Sequence, residues 1–254
     1  MHWSESFYAR QAEVPGTYTT AIHPFTHSLA ARVTAHLDGR SLRGTGRLLE
    51  LGSGGGQFAV AAALQGHDVT ALERVPKLVG HARRLAQEHG VQPDFRQADF
   101  YTVQLPAAHY AAVCYWDGFG IGADDDQRRL LRRVAGWLAP AGQMYLDVYT
   151  PWYWAKAAGN TPQLPGFARD YGFDPDGCRM LDTYTPDDGT QAFTQSLRCY
   201  SPADLRLLLE GTGLRLSELW PGGSYDVQAE VWTPEVPLAQ AMTYAAVLEL
   251  ELEE

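Results

Sequence analysis

Only three cysteines occur in 254 residues, Cys114, Cys178 and Cys199, and none forms a C-x-x-C pair. A disulfide framework and a paired-thiolate metal site are therefore not expected, and the three read as buried thiols in a reducing cytoplasm. Long apolar runs are also missing. The longest, Phe58–Leu64, has seven residues, against the ~20 that a membrane-spanning helix needs. Met1–Gln11 carries Glu5 and Arg10 and has no apolar centre, so it does not read as a secretory signal. Basic residues are scarce: Lys+Arg 20 against Asp+Glu 30 gives a formal charge of −10. A surface that grips phosphates needs the opposite balance, so neither nucleic acid nor a membrane is an expected partner. No fixed-period repeat and no low-complexity tract interrupts the chain.

What the chain has is an ordinary globular composition, with 45% hydrophobic residues, 25 glycines and 15 prolines. That suits one full-sized domain, or one domain with an inserted lobe, that folds without a structural metal. From about residue 44, apolar runs alternate with helical patterns. Arg47–Leu51, Asp68–Glu73, Asp94–Ala98, Tyr110–Trp116 and Gln143–Val148 read as strands. Gln57–Gln65, Pro76–His89 and a segment starting at Asp124 as N-cap and stopping at Pro140 read as helices. The continuous apolar run YAAVCYW is the kind of strand buried on both faces of a parallel sheet. Alternation of this length implies βαβ units, hence an α/β fold with a mostly parallel sheet and helices on both faces.

After Tyr149 the pattern changes. Two alternating runs, Arg179–Thr185 and Gln191–Tyr200, flank the turn signal Pro186-Asp-Asp-Gly189 and read as an antiparallel hairpin. Ser201-Pro-Ala-Asp204 starts a helix, and Leu214–Trp220 and Met242–Leu252 read as a final pair of strands. Before residue 44 one helix is expected, over Thr26–Leu37, preceded by a loose aromatic leader.

The most informative segment is Leu48-Leu-Glu-Leu-Gly-Ser-Gly-Gly-Gly56, a buried strand running into glycines and then a helix. Such a corner lets the backbone approach a ligand closely and offers N–H groups at the helix start. Dinucleotide sites use G-x-G-x-x-G at this corner, and their third glycine falls here on Gln57. The spacing instead is Gly52, Gly54, Gly56, with Glu50 in front. This loop resembles motif I of the class I S-adenosylmethionine-dependent methyltransferases. Glu73 then ends the next strand, 21 residues after Gly52. Ala98-Asp-Phe100 resembles the family's adenine-flanking segment, and Leu138-Ala-Pro-Ala-Gly142 its L-x-P-G-G turn, with Ala141 where glycine is usual.

The resemblance covers residues 44–148 well and Arg179–Trp220 loosely. It implies a Rossmann-like seven-stranded, mostly parallel sheet with an inserted antiparallel β lid. The division it implies is a helical cap over the cofactor site (1–43), a cofactor-binding core (44–148), a lid and acceptor-pocket segment (149–200) and the end of the core sheet (201–254). It implies S-adenosyl-L-methionine as cofactor, held by Glu50, Gly52, Ser53, Gly54, Gly56, Glu73, Arg74, Ala98, Asp99, Phe100, Tyr115 and Trp116. The reaction implied is methyl transfer to nitrogen or oxygen of a small-molecule acceptor. A non-catalytic binder of the cofactor and a nicotinamide oxidoreductase are the alternatives.

The segment Tyr115-Trp-Asp-Gly-Phe119 stands where enzymes that methylate base or glutamine amino groups carry an N-P-P-Y type motif, so that chemistry is disfavoured. Asp117 and Asp147 end neighbouring strands, but Val148 replaces a further polar ligand, and no metal is expected. Trp3, Tyr8, Tyr18, Trp116, Phe119, Trp152, Tyr153, Trp154 and Tyr171 are expected to supply an aromatic surround for the sulfonium. If a base is needed, the candidates are His23, His27, Tyr149 and Tyr171, with His23, Tyr149 and Tyr171 foremost.

Overall fold

The computed structural model describes residues 2–14, 21–40 and 46–251. Its centre is a seven-stranded sheet in the order β10-β13-β5-β4-β1-β2-β3. The strands are β1 (Arg47–Leu51), β2 (Asp68–Glu73), β3 (Asp94–Gln97), β4 (Tyr110–Tyr115), β5 (Leu138–Tyr149), β10 (Leu214–Pro221) and β13 (Thr243–Leu250). Strands β1 to β5 pair in parallel, while β13 runs antiparallel to both β5 and β10. The mostly parallel sheet expected from the alternation is thus present, with the seven strands that the resemblance implies.

Strand alternation assigns each face of the sheet. Leu49 and Leu51 of β1, with Val113 and Tyr115 of β4, face α5 (Asp124–Trp137) and α7 (Pro202–Leu209). Leu48, Ala112 and Cys114 face α2 (Pro24–Gly39), α3 (Gln57–Leu64) and α4 (Pro76–Glu88). Every residue of β4 is buried, because both faces are covered by helices. The chain leaves β1 toward β2 and β3 on one side, then crosses back to β4 and β5 on the other. The crevice at this reversal, outside the carboxyl ends of β1 and β4, is where open α/β sheets bind ligands.

The insertion is larger than the expected hairpin. It opens with α6 (Pro151–Ala157) and continues as a four-stranded antiparallel sheet of β6 (Gln163–Leu164), β7 (Phe167–Asp174), β8 (Arg179–Pro186) and β9 (Phe193–Arg198). Within it, the half-buried Arg169 pairs with the buried Asp182, which also accepts from Gln195 Nε2 at 3.1 Å. Arg179 fastens the sheet to the core, donating to the carbonyls of Gly122 and Gly120 at 3.0 and 3.1 Å. A further short hairpin, β11 (Ser224–Asp226) and β12 (Val231–Thr233), follows β10.

Three local expectations are corrected. The segment read as a loose leader holds α1 (His2–Gln11), whose Phe7 is buried against Phe167, Tyr184 and Phe193 of the insertion. Its helical state is set by that distant partner, so local pattern does not reveal it. Asp124 is the first helical residue of α5 and not its N-cap; Ala123 is, and its N–H donates to the Asp126 carboxylate at 3.1 Å. That helix stops at Trp137, three residues before Pro140, because the chain joins β5 from Leu138. Cys114 and Cys199 are buried and Cys178 is half-buried, all three as free thiols.

Candidate active site

The corner after β1 turns through Gly52, Gly54 and Gly56, whose φ values are +64°, +52° and +84°. An L side chain there costs about 1–2 kcal/mol. A Cβ on Gly52 would meet nothing nearer than Tyr115 at 3.6 Å, so conformation alone selects glycine at that position. Gly56 is required for a second reason: its Cβ would lie 2.9 Å from Ala82 Cα and 3.1 Å from the Phe95 ring. The α4 helix rests directly on the loop there.

The loop amides do not face outward as the sequence pattern implied. Ser53 N–H donates to Leu72 O and Gly56 N–H to Ser53 O, both at 2.9 Å. Gly54 N–H donates to Glu73 Oε2 at 2.8 Å, and Val75 N–H to Glu73 Oε1 at 2.7 Å. A pyrophosphate needs free amides and no adjacent carboxylate. A neutral ribose diol needs the reverse, and Glu73 keeps lone pairs for it after accepting two amides. Burial pushes the Glu73 carboxyl up, while the amides of Val75, Gly54 and Arg74 oppose the shift.

Glu50, 3% exposed, has Oε2 buried without a partner, and Ser53 Oγ is in the same state. Burial pushes the Glu50 carboxyl well up, and nearby Glu73 adds to this. A buried polar atom left without a partner costs about 1–3 kcal/mol. Both atoms border the cavity described next, so the cost falls away when a ligand presents polar groups to them. The residues present therefore fit S-adenosylmethionine: Gly52–Gly56, Glu50 and Ser53 for its amino-acid end, Glu73 for the ribose, and Asp99 and Phe100 for the adenine.

Asp99 and Phe100 are brought alongside by Ala98 N–H, which donates to Glu73 O at 2.9 Å. Asp99 Oδ1 accepts from Tyr101 N–H at 2.8 Å, fixing the turn, while Oδ2 lies 4.0 Å from Arg74. The Phe100 ring stands 5.3 Å from the Tyr115 ring, and Tyr115 Oη donates to Gly118 O at 2.8 Å. Trp116 leans on Phe58 with centroids 5.1 Å apart, and its Nε1 is buried with no partner.

One cavity of about 790 Å³ joins these parts, and all twelve residues expected to hold the cofactor border it except Gly56. It extends past Trp116 to Asp117, Gly118 and Ile121 and is roofed by Tyr8 and Gln11 of α1 and His23, Phe25 and Leu29 of α2. These roof residues and Asp117 complete the pocket without a sequence motif to mark them. The candidate bases separate. His23 borders the cavity as the N-cap of α2, where Nδ1 accepts from Phe25 N–H at 3.1 Å. That bond puts the ring proton on Nε2. Tyr149 is one residue removed, donating its hydroxyl proton to Asp117 Oδ1. Tyr171 is buried in the insertion against Trp154, with ring centroids 5.4 Å apart, and does not border the cavity; neither does His27.

The aromatic surround is narrower than expected. Tyr8 and Trp116 border the cavity, whereas Phe119 packs in the core on Tyr200 and Trp152, Tyr153 and Trp154 pack in the insertion. Tyr18 and the Trp3 side chain lie outside what the structure describes. Asp147 approaches Asp117 from β5. Burial pushes its carboxyl from 3.8 to about 7, opposed by the Thr243 hydroxyl and the Asp117 N–H and reinforced by the Asp117 charge. Among the described residues, no group of three or more His, Cys, Asp or Glu is placed to hold a metal ion.

A doubly wound sheet with this strand order, this glycine loop and an acid at the end of β2 defines the class I S-adenosylmethionine-dependent methyltransferases. Residues 48–142 match the family model described as a methyltransferase domain. The ubiquinone biosynthesis O-methyltransferase of Xanthomonas euvesicatoria pv. vesicatoria is 30% identical over 177 residues, or 68% of this chain and 64% of that protein. The chain thus spans just under two thirds of this curated relative. Among solved structures, the CcbJ methyltransferase of Streptomyces caelestis superposes with a TM-score of 0.74 at 21% identity, covering 96% of this chain and 98% of that one. The SAM-bound amino pentose methyltransferase CalS10 of Micromonospora echinaspora gives 0.54 at 17% identity, covering 97% and 96%. The cofactor is accordingly S-adenosyl-L-methionine, and the nicotinamide alternative is set aside. No helix among the described residues is long and apolar enough to cross a membrane.

Proposed function

We propose that this chain transfers the methyl group of S-adenosylmethionine to a nitrogen or oxygen of a small molecule bound in the same cavity. The observation that carries this reading is continuity: one roofed space runs from the glycine loop and Glu73 to Trp116, Asp117 and Ile121. Its volume of about 790 Å³ lies within the ~300–1,000 Å³ typical of small-molecule sites. The cofactor supplies an electrophilic methyl on a sulfonium. The chain's share is alignment and exclusion of water, which the α1 and α2 roof provides.

Both acceptor atoms have parallels among similar proteins. The curated relative is named for O-methylation in ubiquinone biosynthesis, and KedS8 of Streptoalloteichus is named as a sugar N-methyltransferase. The cap, lid and acceptor-pocket roles of residues 1–43 and 149–200 belong to this proposal. So do the roles of Glu50, Ser53, Glu73, Arg74, Ala98, Asp99, Phe100, Tyr115 and Trp116 toward the cofactor, and those of His23, Tyr149 and Tyr171 as bases.

The test is calorimetry with S-adenosylhomocysteine. Micromolar-range binding by the native protein and at least about tenfold weaker binding by Glu73→Ala are expected, since a hydrogen bond to a charged group contributes about 1.5–3 kcal/mol. Absence of binding to the native protein refutes the reading. An unchanged affinity in Glu73→Ala removes Glu73 from the site.

A further inference from the structure

The far end of the cavity carries a carboxylate that the cofactor does not require. Glu50, Glu73, Arg74 and Asp99 gather around the glycine loop and the ends of β2 and β3, whereas Asp117 follows β4 beside Trp116. Asp117 is exposed to the cavity and adopts φ +48°, a left-handed conformation uncommon for a residue with a Cβ. Two neighbours hold it there. Tyr149 donates to its Oδ1, and its backbone N–H donates to the Asp147 carboxyl at the end of β5. Asp117 Oδ2 takes no hydrogen bond from any described residue. Strained side chains held in place by their surroundings concentrate at functional sites.

No free base for a hydroxyl acceptor borders the cavity beside this carboxylate: Asp147, raised to about 7 by burial, accepts the Asp117 N–H and does not line the cavity. Tyr149 has its proton committed to Asp117, and burial pushes its phenol well up. His23 has its one acceptor nitrogen committed to Phe25 N–H. An aliphatic amine needs no such base; it needs a counter-charge for its cationic form and alignment of its lone pair. Asp117 Oδ2 supplies the first, and the half-buried Trp116 ring beside it adds a π face for a cation.

Building on the methyltransferase reading above, we propose that the acceptor is a small molecule bearing an aliphatic amine, bound by Asp117 against Trp116, with Tyr149 acting as a positioning residue for the carboxylate. The bound ammonium releases one proton to solvent and exposes its lone pair. That pair forms the N–C bond as the C–S bond breaks, and the sulfur keeps the bonding electrons. The product nitrogen is again cationic and stays paired with Asp117.

The experiment uses protein saturated with S-adenosylhomocysteine and a fragment panel of aliphatic amines, each matched with its hydroxyl isostere, with binding read by ligand-observed NMR and Kd by calorimetry. Amines are expected to bind about tenfold or more tightly than their isosteres, and Asp117→Asn to abolish that preference, with S-adenosylhomocysteine affinity unchanged. Asparagine tolerates the left-handed backbone, so this variant keeps the fold. Tyr149→Phe should weaken amine binding less than Asp117→Asn does. Equal binding of amines and isosteres, no amine binding, or an amine preference that survives Asp117→Asn would overturn the proposal. Failure of native protein to bind S-adenosylhomocysteine would instead remove the reading beneath it.

Discussion

At the scale of single residues, Ala141 departs from the family pattern in a physically informative way. It adopts φ +62° between α5 and the paired part of β5, the conformation for which the related turn uses glycine. Ala141→Gly should relieve the strain and raise unfolding free energy by about 0.5–1 kcal/mol net of glycine's added unfolded-state entropy, measured by urea denaturation. Asp147 predicts a pH dependence. Its carboxyl moves from 3.8 to about 7 on folding. Between those values the folded state holds a proton that the unfolded chain has released, so this residue lowers stability as pH rises from about 4 to 7, after which its effect levels off. Asp147→Asn should flatten that part of the stability profile and leave the native-minus-variant difference constant above pH 8. The same scale separates motif from geometry. Gly52, Gly54, Gly56 and Glu73 were legible because backbone conformation and a strand-end acid recur at fixed spacing. That Glu73 would consume the amide of Gly54 was not, because the bond joins β2 to the loop after β1.

Among the elements, α1 is the one whose role depends most on its partners. Phe7 is buried in the insertion, Gln11 Nε2 donates to Tyr184 Oη at 3.1 Å, and Tyr8 faces the cofactor cavity. One helix thus ties the inserted sheet to the cavity. Phe7→Ala removes a buried ring whose loss costs about 3–5 kcal/mol in a core. The expected outcome is faster hydrogen exchange in α1 and in β9, and weaker S-adenosylhomocysteine binding, with the central sheet still protected. Protection of α1 unchanged from the native protein would separate the helix from the inserted sheet. By contrast, α4 and α5 were readable from their apolar stripes, and β4 from its unbroken run, since each pattern reports burial against whatever covers it. The insertion shows a hairpin in its local pattern and forms four strands, because β7 is paired through β8 and carries no clear alternation of its own.

For the molecule as a whole, cofactor affinity and stability are linked. A ligand that binds only the folded state at 100 times its Kd adds about 2.7 kcal/mol to unfolding free energy. S-adenosylhomocysteine should therefore raise the melting temperature by several degrees, and NAD at the same concentration should leave it unchanged. A shift with NAD and none with S-adenosylhomocysteine would reverse the choice of cofactor.

The parallel sheet, the glycine corner and the acid at the end of β2 follow from local spacing alone: apolar period, φ preference and chain length between strand ends. What closes the pocket depends on contacts between segments far apart in the chain. Tyr8, His23 and Asp117 stand on three elements that follow no common period, and Tyr171, equally aromatic in sequence, is buried elsewhere. Packing between distant segments sets these positions, and packing depends on shape across the fold, which no local pattern encodes.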